Sequence, residues 1–71
     1  MNLEQQTQKE VRNKVGSITH SYAVDYRESP KDRPRILYLF GKVITHFYFN
    51  KSIKEADKLF FCDMFEREIG E

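Results

Sequence analysis

Arg35-Ile-Leu-Tyr-Leu-Phe-Gly-Lys-Val-Ile-Thr-His-Phe-Tyr-Phe49, RILYLFGKVITHFYF, is the stretch whose secondary structure decides the fold. Two periods coexist in it. Ile36, Phe40, Val43 and Phe47 fall three or four residues apart, as on one face of a helix. The same run is dense in β-branched and aromatic residues, the types that suit a pleated, half-buried surface. Residue type points to strands at about 35–40 and 43–49, paired as a hairpin around the two-residue loop Gly41-Lys42. That register sets Phe40 opposite Val43, Leu39 opposite Ile44 and Leu37 opposite His46, and it leaves both faces of the hairpin apolar.

Downstream of Asn50 the composition changes. Ser52 followed by Glu55 has the spacing of a capping box, in which the hydroxyl accepts from a first-turn amide and the carboxylate reaches back to the Ser amide. A helix is predicted from about 53 to 68, with Ile53, Ala56, Phe60 and Met64 as its central stripe, Phe61, Phe65 and Ile69 on one flank and Leu59 on the other. Leu59 and Cys62 lie further round, towards the surface, and Cys62 reads as a small core or boundary residue rather than a reactive thiol.

Upstream, Glu28–Pro34 (ESPKDRP) is turn chemistry: two prolines fix φ, and Ser and Asp can bond their own backbone. Before it, Ile18, His20, Tyr22, Val24 and Tyr26 alternate with polar or small residues, which predicts a strand at about 18–27 with one wet side. His20 reads as a half-buried histidine with a backbone partner rather than a metal ligand, because nothing near it supplies a second ligand. Leu3, Thr7, Val11 and Val15 recur every four residues and predict a helix at about 3–15, which Gly16 closes in the usual C-terminal position.

Seventy-one residues allow a single domain, 1–71, which buries only roughly 60% of its unfolded surface; the size also suits a piece of a longer protein. Lys+Arg 12 against Asp+Glu 11 leaves no whole-molecule field to draw nucleic acid or membrane, so any basic site must be local. One cysteine excludes an internal disulfide framework; it fits a reducing compartment and would equally suit an extracellular chain without bridges. No apolar run approaches the roughly 20 residues that span a bilayer, and the start MNLEQQTQKE is too polar for a signal peptide. The expected location is intracellular, cytoplasmic or nuclear. His20, His46, Cys62 and the acidic residues show no metal spacing, nucleophile–base pair or phosphate loop, so neither an enzyme, a cofactor nor a small-molecule substrate is expected.

The expected class is therefore α+β, in the order α-β-β-β-α, with a three-stranded antiparallel sheet and both helices on one face. This order, and the segment Tyr22–Glu66, resembles the double-stranded RNA-binding domain family. YAVDYRESP is similar to the family's first strand and loop, RILYLFGKVITHFYF to its second and third strands, and KSIKEAD to the SKKEAK opening of its second helix. The resemblance implies duplex RNA bound by shape and charge rather than sequence, because A-form RNA hides its base edges in a deep groove. The residues it implies for this are Lys51, Lys54 and Lys58 at the last helix, Lys31, Arg33 and Arg35 around the first loop, and Glu10 on the first helix. The matching helix positions are Ile53, Lys54, Glu55, Ala56 and Asp57, where the family's KKxAK cluster has three lysines, and its GPxH loop becomes Ser29, Pro30, Lys31, Asp32. Lost cations weaken phosphate binding steeply at physiological salt.

Protein contact is thus the expected main role, as a homodimer or as an adapter in an RNA-processing or RNA-silencing assembly, with duplex RNA the alternative ligand. The third strand offers an unpaired edge without proline. The expected interface comprises Val43, Ile44, Thr45, His46, Phe47 and Tyr48 of that strand, together with Leu37, Leu39 and Leu59.

Overall fold

A computed structural model describes the backbone of residues 3–70 and the side chains of residues 8–70. Three α-helices account for nearly all of it: α1 (Leu3–Glu28), α2 (Arg33–Phe49) and α3 (Glu55–Ile69), with a 3₁₀ turn at Pro30–Asp32 between the first two. No strand occurs among the described residues. The expected α-β-β-β-α order, its three-stranded sheet and its strands at 18–27, 35–40 and 43–49 are overturned: the first lies inside α1 and the other two are halves of α2.

Packing accounts for the difference. As a helix, α1 aligns Val11, Val15, Thr19 and Ala23 four residues apart, with Tyr22 and Tyr26 beside them; Val15, Thr19 and Ala23 are fully buried. As strand residues, 18–27 would place Thr19 and Ala23 on the wet side. In α2, Ile36, Phe40 and Ile44 form the buried row, flanked by Phe47. β-Propensity in a run such as Val43-Ile44-Thr45 is a weak, context-dependent preference, and the amphipathic face decides against it. Thr19, the one buried polar residue among those described, donates its hydroxyl to the Val15 carbonyl at 2.8 Å, so the stripe carries no unsatisfied group. Of the predicted first-helix stripe, Leu3 and Thr7 have side chains outside the described residues.

Gly16 does not end a helix. It sits within α1 where α3 passes, and a Cβ placed on it would lie 3.7 Å from the Phe61 ring. The left-handed position that closes α2 belongs to a lysine instead: Lys51 has φ 59°. Its amide donates to the Tyr48 carbonyl at 3.0 Å and the Ser52 amide to the Phe47 carbonyl at 2.9 Å, the paired bonds of a Schellman closure. Gly70, at φ 103°, follows α3 directly as its C-cap.

The predicted Ser52–Glu55 capping box is likewise corrected. Helix α3 starts two residues later than expected, with Lys54 as its N-cap, and the Asp57 carboxylate accepts from the Lys54 amide at 3.3 Å. The buried face also differs from the expected one. Phe61 and Phe65 point inward, whereas Ala56 and Phe60 of the expected central stripe are exposed.

The helices run up, down and up. Arg33 at the start of α2 reaches back to Tyr26 near the end of α1, while Arg12 meets Asp57, Gly16 approaches Phe61 and His20 meets Glu68, so α3 lies parallel to α1. The bundle is elongated, 45 × 18 × 16 Å. At its centre Phe40 of α2 stacks on Phe65 of α3, and Tyr22 and Tyr26 of α1 close the cluster edge-on.

Candidate functional site

With α1 filling one side of the bundle, α2 and α3 share an open face. Leu37, Gly41 and Thr45, four residues apart on α2, run antiparallel to Lys58, Cys62 and Glu66, four residues apart on α3. Between the two rows lies a groove of about 480 Å³ floored by Tyr26, Phe40, Ile44 and Phe65 and closed at one end by Ile69. A second concavity continues over the outside of α2, between Leu37, Tyr38, Lys42 and His46. Among the described residues five large apolar side chains are more than half exposed: Leu37 at 52%, Tyr38 at 64%, Phe49 at 74%, Leu59 at 59% and Phe60 at 54%. Leu37 and Tyr38 border these two hollows.

The residues expected to form a strand edge are distributed round α2 by the helical turn. Ile44 goes into the core, Leu39, Val43, Phe47 and Tyr48 are half-buried, and Leu37, Thr45 and His46 are exposed. Leu59 is exposed on α3. Of the expected interface, Leu37 and Thr45 thus meet on one groove wall, while the edge itself is absent because 43–49 carries intrahelical hydrogen bonds. Gly41, Cys62, Glu66 and Ile69 complete the groove and lie outside the interface expected from the sequence. The i, i+4, i+8 spacing of Leu37, Gly41 and Thr45 is the signal for such a wall, legible only once the segment is read as a helix.

The basic residues fall into two groups at opposite ends of α2, whose seventeen residues span roughly 25 Å. Lys31, Arg33 and Arg35 lie at the α1–α2 connection, and Lys51, Lys54 and Lys58 at the α2–α3 connection. Glu10, exposed on α1, lies at the second end, two residues before the Arg12 that pairs with Asp57 at 3.5 Å. Two of the six cations are engaged within the fold. Arg33 donates from Nε to the Tyr26 carbonyl at 2.9 Å with its guanidinium 5.0 Å from the Tyr26 ring centre, and the Lys58 ammonium lies 4.7 Å from the Tyr48 ring centre.

His20, expected beside a backbone partner, is exposed and sits with Nδ1 2.6 Å from Glu68 Oε1, linking α1 to the last turn of α3. Cys62, half-buried in the groove, has its thiol pKa raised by burial and by Glu66, against a lowering by Lys58. Desolvation disfavours the thiolate and keeps the sulfur neutral and weakly nucleophilic at neutral pH. Among the described residues no three His, Cys, Asp or Glu side chains converge as metal ligands, and no helix is long and apolar enough to cross a membrane.

Comparison with protein-family models, with curated proteins and with solved structures finds no match to this chain. The resemblance of Tyr22–Glu66 to double-stranded RNA-binding domains therefore rests on local segments alone, and the sheet it implies is not formed.

Proposed function

We propose that this chain is a non-catalytic helical module that works through protein–protein contacts made by its α2–α3 face. The carrying observation is the apolar groove between the two helices, continuous with the concavity beside Leu37 and Tyr38. Single exposed apolar residues are ordinary on any protein surface. Here Leu37 and Tyr38 sit together on the rim of an apolar-floored groove, an arrangement that supports an interaction site. A specific interface covers roughly 800 Å² on each partner, about a seventh of the 5456 Å² this chain exposes, and one two-helix face is of a size to supply it.

Light scattering on the wild type and on Leu37→Glu tests this reading. The wild type is expected above its 8.5 kDa chain mass at high micromolar concentration, and the variant at the chain mass with unchanged helical circular dichroism. A wild type that stays monomeric, and that forms no cross-linked protein adduct sensitive to Leu37→Glu, overturns it. Direct binding of double-stranded RNA is the competing outcome. Its signature is a gel shift at low salt that Lys54→Glu abolishes while Leu37→Glu leaves it intact.

A further inference from the structure

The α2–α3 face is self-complementary about its own middle. Gly41 is the midpoint of α2 (Arg33–Phe49), and Cys62 is the midpoint of α3 (Glu55–Ile69). Both line the same groove, side by side. On α3, Lys58 and Glu66 stand four residues to either side of Cys62, opposite charges at equal distances from the centre. Glu66 is exposed and makes no ion pair among the described residues. On α2, Leu37 and Thr45 flank Gly41 in the same way.

Gly41 adds an independent observation. A glycine in a helix interior destabilises by roughly 0.5–1 kcal/mol relative to alanine, and here nothing within the chain requires one, since a Cβ at 41 would meet no atom within 4 Å. A glycine with open space before it, centred on an apolar face, leaves room for close approach from outside.

Resting on the protein-contact reading above, we infer that the occupant of this face is a second copy of the chain, related by a two-fold axis that passes across α2 at Gly41 and α3 at Cys62. A two-fold interface is isologous: if residue i meets residue j, then j meets i. The axis turns each helix end for end onto its counterpart. The Lys58 ammonium of each copy then leaves the Tyr48 ring, 4.7 Å away within its own chain, for Glu66 of the other, so that two ion pairs form at once, Leu37 packs against Thr45 across the interface, and the two Gly41 backbones meet on the axis. The exposed, unpaired Glu66 gains its partner. A parallel pairing would set Lys58 beside Lys58 and Glu66 beside Glu66 wherever α3 meets its copy, which like-charge repulsion disfavours.

Charge reversal in separate chains tests the arrangement. Lys58→Glu alone and Glu66→Lys alone each set two like-charge pairs across the axis, and each is expected to weaken self-association at least roughly tenfold. Mixed in equal amounts, the two variants complement each other. The carboxylate introduced at position 58 of one chain then faces the ammonium introduced at position 66 of the other, while the native Glu66 of the first faces the native Lys58 of the second. Light scattering on the mixture is therefore expected to return to the wild-type mass. Recovery on mixing cannot come from misfolded chains. Gly41→Leu, which has open space within the chain, is expected to keep its helicity and lose the dimer. A wild type that associates through Leu37 but ignores both charge reversals and Gly41→Leu overturns this pairing while leaving the protein-contact reading in place. A wild type that is monomeric yet gives a Leu37-dependent adduct with another protein overturns the self-association and again leaves the broader reading intact.

Discussion

Phe40 and Phe65 lie face to face, their ring centres 4.4 Å apart and their planes 13° from parallel, and this pair joins α2 to α3 at the middle of the bundle. Tyr26 meets Phe65 edge-on at 5.7 Å and Tyr22 meets Phe40 edge-on at 6.3 Å, so all three helices converge on the two rings. Truncating a buried phenylalanine costs about 3–5 kcal/mol, while a domain of this length holds only roughly 4–10 kcal/mol in total. Phe65→Ala is therefore expected to remove roughly a third or more of the stability, read as a fall in the urea midpoint. The milder Phe40→Leu and Phe65→Leu variants leave a folded chain, and their double variant is expected to fall short of additivity by about 0.5–1.5 kcal/mol, the coupling of the stacked pair.

Gly16 distinguishes a helix interior from a helix end. Because α1 continues through it and an added Cβ makes ordinary contact with Phe61 at 3.7 Å, Gly16→Ala is expected to stabilise by about 0.5–1 kcal/mol in urea denaturation. Loss of stability of that size or more would mean that residue 16 occupies a left-handed closing position after all.

Lys51 carries the conformational strain of closing α2. Holding an L-residue in the left-handed region costs roughly 1–2 kcal/mol, and Lys51 does so at φ 59°. Lys51→Gly is expected to raise the thermal midpoint, with a gain of about 1 kcal/mol, because the backbone bonds of the closure remain in place. An unchanged or lower midpoint would show that the lysine side chain contributes something that offsets the strain.

Cys62 sets a pH dependence with a definite sign. Its thiol pKa is raised in the folded state, first by burial, so the native chain holds this proton to higher pH than the unfolded chain. Where the native state binds more protons, stability falls as pH rises. Stability from this group is therefore complete below the ordinary thiol pKa and is lost as pH climbs through and beyond it. Urea midpoints of wild type and Cys62→Ser across alkaline pH are expected to diverge, the wild type falling faster. Thiol alkylation at neutral pH is expected to be slower than in the unfolded chain, to accelerate in Glu66→Gln and to slow further in Lys58→Ala, because Glu66 raises the pKa and Lys58 lowers it.

The candidate face shows where a sequence pattern stops being sufficient. Leu37 is exposed and Ile44 is in the core, yet the hairpin reading sets both on one face, because strand alternation sorts residues by a period of two and a helix by 3.6. Arg33 and Lys58 read as free cations in sequence, whereas Tyr26 and Tyr48 hold them.

Sequence by itself determined the positions of the apolar residues, the proline-rich connection at 28–34 and the amphipathic helix near the C-terminus, because these depend on local covalent chemistry and spacing. It also contained the deciding helical spacing of Ile36, Phe40, Val43 and Phe47, superimposed on residue types that favour strands. Only the tertiary structure chose between the two. The choice rests on which arrangement lets Val15, Thr19 and Ala23 of α1, Phe40 of α2 and Phe65 of α3 bury one another together. That is a property of three segments far apart in the chain, so no window of sequence along a single segment could express it.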